Sequence, residues 1–165
     1  MIRVKSIQII RLAQNQAIGA LAIWQFTIGY FVTKAEGAPL DYLYSVIPLI
    51  SNSQIRHTIC HTNGGLLSYR AKLSQECEEN AILSSMEMAP YMHDLSSRAI
   101  KTALACNLID QANCELRFIP ATKKLPQDVP LSAIESSYKK AACRLGKQMS
   151  SLTRYEISTI FGVRF

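Results

Sequence analysis

The longest apolar stretch of the chain predicts a buried helix near the N-terminus. No charged residue occurs between Arg11 and Lys34, and residues 17–32 read AIGALAIWQFTIGYFV. Small residues in this run allow neighbouring helices to approach closely, and bulky ones supply volume for a core. Polar residues interrupt the run, which is shorter than the roughly 20 residues that a bilayer requires. A core helix is therefore favoured, and a membrane-spanning or secretion segment is the alternative that the preceding basic residues suggest.

Prolines and turn signals divide the next part of the chain. The apolar residues 40–50 predict a second core element, which Pro48 should end or bend. A polar stretch follows and closes with the turn signal Asn63-Gly64-Gly65. We therefore expect residues 55–61 to be extended.

The middle of the chain predicts a helix, a turn and a strand in that order. A short helix at residues 82–89 should stop before Pro90, and Ser96 or Ser97 can then cap a new helix. Alternating apolar and polar residues at 114–119 predict a strand. This order indicates a winged-helix-like element, although the same order occurs in many α+β domains.

The last part of the chain predicts two further helices. Apolar residues spaced three and four apart run from Leu131 to Leu152. Thr153 and Glu156 then form a capping-box pattern that begins a final short helix, and Gly162 ends it.

Length and composition fit one domain. The 165 residues, 48% of them hydrophobic, suffice for a core without a metal or disulfide to hold it. We therefore predict a single α+β domain, predominantly α-helical, with three parts: a compact helical core containing the winged-helix-like element at 1–122, an extended connector at 123–130, and C-terminal helices at 131–165.

Charge adds a candidate contact surface. Charged residues make up only 18% of the chain, yet the net charge is +6. Lys140, Arg144 and Lys147 lie on one helix face, since they are spaced four and three residues apart, and Lys123 and Lys124 precede them. We expect these five residues to contact nucleic-acid phosphate or an acidic partner surface, and a simply solvated face is the alternative.

Motifs for catalysis and for cofactor binding are missing from the sequence. It has neither of the glycine-rich phosphate loops G-x-x-x-x-G-K-[ST] and G-x-G-x-x-G, and no G-x-S-x-G elbow. We expect no enzyme activity, no catalytic or cofactor-binding residue and no small-molecule substrate. The five cysteines show no C-x-x-C spacing, which argues against a disulfide framework and predicts a cytoplasmic protein. The segment His57-Thr58-Ile59-Cys60-His61 has ligand types that suit zinc, but no second cluster accompanies it, so no metal site is expected.

Three apolar segments together resemble one protein family. They are residues 15–26 (NQAIGALAIWQF), 39–56 and 156–165 (EISTIFGVRF). In this order they look like the middle component of three-component ABC systems, the small subunit of bacterial defence operons of the Lamassu type. Residues 96–110, 124–126 and 144–146 also fit the family's pattern. The chain departs from it at Gln16 and at Phe165, where proline is common in the family.

The resemblance implies a non-catalytic adaptor in an anti-phage or anti-plasmid defence complex. Its partners would be an SMC-like ABC ATPase and an effector subunit, expected to be a nuclease, and the adaptor would help to relay DNA sensing. DNA contact would occur through the complex, and no membrane partner is expected. Phe161, Arg164 and Phe165 would form a docking tail, because exposed aromatic and Arg side chains are efficient anchors. Core packing is the alternative for Phe161.

Two other classes of protein remain as alternatives. A stand-alone winged-helix transcription regulator would use residues 96–107 as its recognition helix, with Arg98 and Lys101 facing DNA. A membrane-anchored subunit would use residues 17–32 as its span.

Overall fold

The fold is α+β and predominantly α-helical, as the sequence predicts. The computed structural model describes residues 15–62, 68, 71, 79–112, 115–122 and 133–163. In chain order, the elements are α1 (Gln16–Lys34), β1 (Ala38–Pro39), α2 (Leu40–Ser51), α3 (Ser53–His61), α4 (Glu79–Ala105), β2 (Ile109–Gln111), β3 (Arg117–Pro120), α5 (Ala133–Ser150) and α6 (Arg154–Phe161).

Helix α1 is the predicted core helix. Asn15 caps its start, since its side chain accepts hydrogen bonds from the backbone N–H groups of Ala17 and Ile18 at 3.1 and 3.4 Å. Ala35 ends it in the left-handed conformation, with a φ of 55°. Its bulkiest buried side chain, Trp24, is 1% exposed. None of the described helices is long and apolar enough to cross a membrane.

Two glycines bring the backbones of α1 and α5 into contact. A Cβ atom on Gly29 of α1 would overlap the backbone carbonyl oxygen of Cys143. Reciprocally, a Cβ atom on Gly146 of α5 would overlap the carbonyl oxygen of Phe26. Each helix therefore lays a residue without a side chain directly on the main chain of the other. Gly19 of α1 allows a similar but less close approach to α4, because a Cβ atom on Gly19 would lie 2.8 Å from the Cβ atom of Ala99.

Residues 55–61 are helical, so the expectation of an extended segment is wrong. The Asn52 side chain accepts hydrogen bonds from the backbone N–H groups of Gln54 and Ile55 at 3.0 and 3.2 Å, and thus caps α3. Ile55 and Ile59 are fully buried one turn apart. The cap and this helical spacing outweigh the turn signal downstream. The preceding core element is α2, and Pro48 lies inside it.

Helix α4 runs without interruption through Pro90, so the predicted break there is wrong. A proline inside a helix removes one backbone hydrogen bond. Burial of Met92 and Leu95 on the core, together with the rest of this 27-residue helix, offsets that cost. Ser96 and Ser97 lie inside the helix and do not cap a new one. The Ser96 hydroxyl is buried and donates to the carbonyl oxygen of Tyr44 at 3.5 Å.

The small sheet confirms the predicted order of helix, turn and strand. Helix α4 leads through a turn into β2 and β3, which pair antiparallel with Gln111 opposite Phe118. The first strand joins on the other side, with Ala38 also opposite Phe118, so the strand order is β1-β3-β2. Trp24 donates from Nε1 to the carbonyl oxygen of Thr122 at 2.7 Å, which ties the end of the sheet to α1.

One hydrophobic cluster includes side chains from all six described helices. Helix α6 joins it through Ile157, Ile160 and Phe161. As predicted, α6 begins with the capping box of Thr153 and Glu156.

Alanine at Gly29 or Gly146 should destabilise the protein. The new methyl group would overlap a backbone carbonyl that cannot rotate away, and overpacking of this kind costs about 1–3 kcal/mol. Helix propensity alone would favour alanine over glycine by about 1 kcal/mol. A decrease in the free energy of unfolding on substitution would therefore indicate the overlap with the backbone carbonyl. Chemical denaturation measures the free energy of unfolding.

Ser136→Ala is the matched control, because Ser136 is exposed on the same helix. It should leave the free energy of unfolding within about 0.5 kcal/mol of that of the wild type. A Gly146→Ala variant as stable as this control would contradict the backbone contact between α1 and α5.

Candidate functional site

Helices α3 and α5 together form a basic surface, which we call the basic face. Its exposed members are His57 and His61 from α3 and Lys140 and Lys147 from α5, and its half-buried members are Arg56 and Arg144. The sequence predicts only the α5 part. Lys123 and Lys124, the other predicted contact residues, lie outside the described residues.

Arg144 holds the end of α3 against α5. Its Nη1 donates to the carbonyl oxygen of Ile59 at 3.3 Å and to that of Cys60. The last carbonyl groups of a helix have no partner within the helix, and their aligned dipoles leave a partial negative charge. The Arg144 guanidinium supplies hydrogen-bond donors to these carbonyl groups and a positive charge that offsets the partial negative charge of the helix end. The structure thus shows a structural function for this predicted contact residue.

Arg56 joins the same arrangement from α3. Its Nη1 donates to the carbonyl oxygens of Ile50 and Ser51 at 2.6 and 3.3 Å, at the end of α2. The guanidinium carbon lies 4.4 Å from the centroid of the Tyr138 ring on α5, a cation–π contact. Sequence reasoning missed this residue, because no local pattern pairs it with a tyrosine in another third of the chain.

The Cys60 thiol lies close to three cationic side chains of the basic face. Burial raises its pKa, and the positive charges of Lys140, Arg144 and Arg56 act in the opposite direction. Three cations from two helices therefore lie near one buried sulfur atom. Since the net shift is upward, the thiol stays protonated at neutral pH, and its role is packing.

His57 and His61 form an exposed pair on α3. Their rings stack with centroids 4.1 Å apart. Nδ1 of His61 lies 2.8 Å from the carbonyl oxygen of His57 and donates to it, because a carbonyl oxygen can only accept. Nε2 of His61 is therefore left for other contacts. Among the described residues, no three or more His, Cys, Asp or Glu side chains are grouped so that they could hold a metal ion.

Lys140 and Lys147 are the exposed ammonium groups of the basic face. Neither takes part in an ion pair within the described part of the chain. The ion pairs seen there lie on other elements, for example Arg154 with Asp41 at 2.8 Å. The two lysines are thus placed to meet anions from outside the chain.

Exposed apolar side chains lie elsewhere on the molecule. The large hydrophobic residues exposed in the described part are Val32, Met88, Tyr91, Leu116 and Tyr155. They belong to α1, α4, the turn before β3, and α6. None belongs to α3 or α5, so the exposed side chains of the basic face are polar.

The predicted docking tail is placed only in part. Phe161 is 1% exposed and packs in the core, so it is not available as an exposed anchor. Its position is explained by the helical spacing that it shares with Ile157, one turn earlier on the buried side of α6. Arg164 and Phe165 lie outside the described residues, and their docking role stays a prediction.

Arg144→Met should lower the stability of the protein. The methionine keeps an apolar stem but leaves the carbonyl oxygens of Ile59 and Cys60 without their donor, which costs about 1–3 kcal/mol. Lys147→Met is the control, because Lys147 is exposed one turn later and should change stability by less than about 0.5 kcal/mol. Urea denaturation compares the two. Equal stability of both variants would show that Arg144 does not hold α3.

The family of this protein is identified by comparison with known proteins. Searches of the curated proteins and of the solved structures give no match. A family model does match, over residues 5–165, and it describes the Middle Component 3 of ABC-three component (ABC-3C) systems. Because this match covers nearly the whole chain, the protein belongs to the Middle Component 3 family of ABC-three component systems.

Proposed function

We propose that this protein is a non-catalytic adaptor that joins an SMC-like ABC ATPase to an effector subunit in a bacterial defence complex of the Lamassu type. Membership of a middle-component family over residues 5–165 is the observation that carries this proposal. The family description implies that the protein acts with the other components of an ABC-3C system. We take the effector to be a nuclease and its targets to be phage or plasmid DNA.

Two surfaces of different chemistry support an adaptor role. The basic face is polar, and its two exposed lysines form no ion pair with any residue that the structure describes. Helix α4 presents Met88 and Tyr91 one turn apart, and Tyr91 is 82% exposed. Tyrosine and methionine are enriched in protein interfaces. An adaptor must hold two partners at once, and surfaces of unlike chemistry allow this without competition between them.

The core favours relay by movement of the whole adaptor. Gly29 and Gly146 pack two backbones together, and such a contact resists deformation because neither main chain can rotate out of the way. A change in the ATPase heads would then shift the adaptor as a rigid unit. Such a relay requires partner contacts that differ between two states of the complex, with the energy supplied by the ATPase.

A stand-alone winged-helix regulator is not favoured. Its recognition helix would be residues 96–107, of which 96–105 form the C-terminal end of the long helix α4 and the last two lie in the turn after it. Ala99 and Ala103 of this segment are fully buried. Arg98 is engaged by Asp94, with Nη2 3.2 Å from Oδ2. Few side chains there could reach the edges of bases.

Contact roles follow from this proposal. Lys123, Lys124, Lys140 and Lys147 would bind DNA phosphate or an acidic partner, with Arg144 adding its charge beside them. Arg164 and Phe165 would dock on a partner subunit. The free thiols of Cys60, Cys106 and Cys143 support our further proposal that the complex works in the cytoplasm, because reducing conditions keep thiols free.

Co-purification from the native operon tests the adaptor role. A tagged chain should elute in size-exclusion chromatography as a stable complex with an ABC ATPase and a second large subunit, and mass determination should give the stoichiometry. A chain that elutes alone and shifts one specific DNA fragment would contradict the proposal and favour the regulator.

The double variant R164A/F165A tests the docking tail, because it leaves Phe161 in the core. We expect recovery of one partner to fall about tenfold or more, as expected when aromatic and Arg anchors are removed. Y155A is the matched control, since it removes an exposed aromatic residue of α6 and keeps the ion pair of Arg154 with Asp41. Equal recovery of partners by the two variants would exclude a docking role for the tail.

A further inference from the structure

We infer that the basic face binds the phosphate backbone of double-stranded DNA without reading its sequence. Lys140, Lys147 and the imidazole of His57 make the contacts, and Arg144 and Arg56 hold the face in shape. The inference rests on the proposed function for its biological setting, since it names the partner of one adaptor surface. DNA binding by the chain alone is a separate property that can be measured without the other subunits.

The charge of the two helices favours a polyanion. Helix α3 contains no acidic residue, and the described α5 sequence has a single one, Glu135 in its first turn. Glu135 and Lys139 line a narrow groove with Leu21 and Trp24 of α1. This acid therefore lies beside α1 with a lysine next to it, and within the described α3 and α5 no other residue is acidic.

The spacing of the donors fits an extended backbone. Lys140 and Lys147 are two helical turns apart, which corresponds to a rise of about 10 Å. Two long, flexible lysine side chains at this separation can reach different phosphates of one strand. His57 and His61 form a second row on α3. The two helices meet at Arg144, which lies between Lys140 and Lys147 on α5 and binds the carbonyl oxygens of Ile59 and Cys60, next to His61 at the end of α3.

The two arginines act as positioning residues. Without Arg144, the carbonyl end of α3 would present a partial negative charge beside His61 and repel phosphate. The Arg144 guanidinium offsets that charge through its hydrogen bonds to Ile59 and Cys60. Arg56 fixes α3 to the ring of Tyr138 on α5, so His57 and the two lysines keep one relative position.

The exposed side chains of the basic face fit DNA better than they fit an acidic protein surface. Protein interfaces carry apolar and aromatic side chains at their centre, and charged residues are depleted there. The exposed large hydrophobic side chains of the described residues all lie outside α3 and α5. Binding to the DNA backbone needs little beyond clustered donors, and most of its affinity comes from the release of counterions.

Fluorescence anisotropy with the full chain alone provides the test. Two labelled duplexes of unrelated sequence are titrated at salt concentrations between about 50 and 200 mM. We expect the wild type to bind both duplexes equally. The K140E/K147E variant should bind both about tenfold more weakly or worse, and its slope of log affinity against log salt should be smaller by about two.

R98E/K101E is the matched control. It changes the net charge of the chain by the same amount, and both of its residues are exposed on α4. It should keep the salt slope of the wild type to within about one half of a unit. The H57A variant should weaken binding about threefold with little change in slope, because it removes a hydrogen-bond donor and leaves every lysine in place. Circular dichroism verifies that each variant is folded.

Several outcomes would overturn the inference. They are a wild type that fails to bind at low salt, equal weakening in K140E/K147E and R98E/K101E, and a strong preference for one duplex. If K140E/K147E keeps its DNA affinity but loses a partner subunit in co-purification, the face binds an acidic protein instead. If DNA binding depends on the lysines but no partner co-purifies, this inference stands and the adaptor proposal fails.

Discussion

Main-chain contact between α1 and α5 sets how the other helices and the sheet pack. Gly29 and Gly146 let the two helices touch main chain to main chain, and no larger residue fits at either position. The contact fixes which side of α5 is buried, and therefore which side presents Lys140 and Lys147. It also explains why α1 carries no charge before Lys34, since α4, α5 and the sheet enclose it.

The basic face shows that residues on one helical stripe can have different roles. Lys140, Arg144 and Lys147 share a face of α5, but only the lysines are fully exposed. Arg144 lies where the last turn of α3 meets α5, and its planar guanidinium can bind two carbonyl groups that an ammonium group would serve less well. Its charge still adds to the field of the face while its donors stabilise the fold.

Family membership and geometry lead to a consistent proposal for function. A middle component acts within a larger assembly, and a small protein with one polar cationic face and an exposed aromatic on another helix is suited to that setting. A rigid adaptor transmits movement because its two faces cannot shift independently. In that arrangement, DNA on the basic face and a protein partner elsewhere would be linked through the contact between α1 and α5.

Features that depend on neighbouring residues could be predicted from the amino-acid sequence. The enclosed helix α1, the capping box at Thr153, the α+β class and the positions of the basic residues on α5 all follow from local periodicity and capping. Other features are set by tertiary contacts. It made residues 55–61 a helix, carried α4 through Pro90, buried Phe161 and engaged Arg144 with the end of α3. Each of these outcomes depends on burial or hydrogen bonding between segments distant in sequence, and the free energy of those contacts exceeds the local preferences that a single sequence reveals.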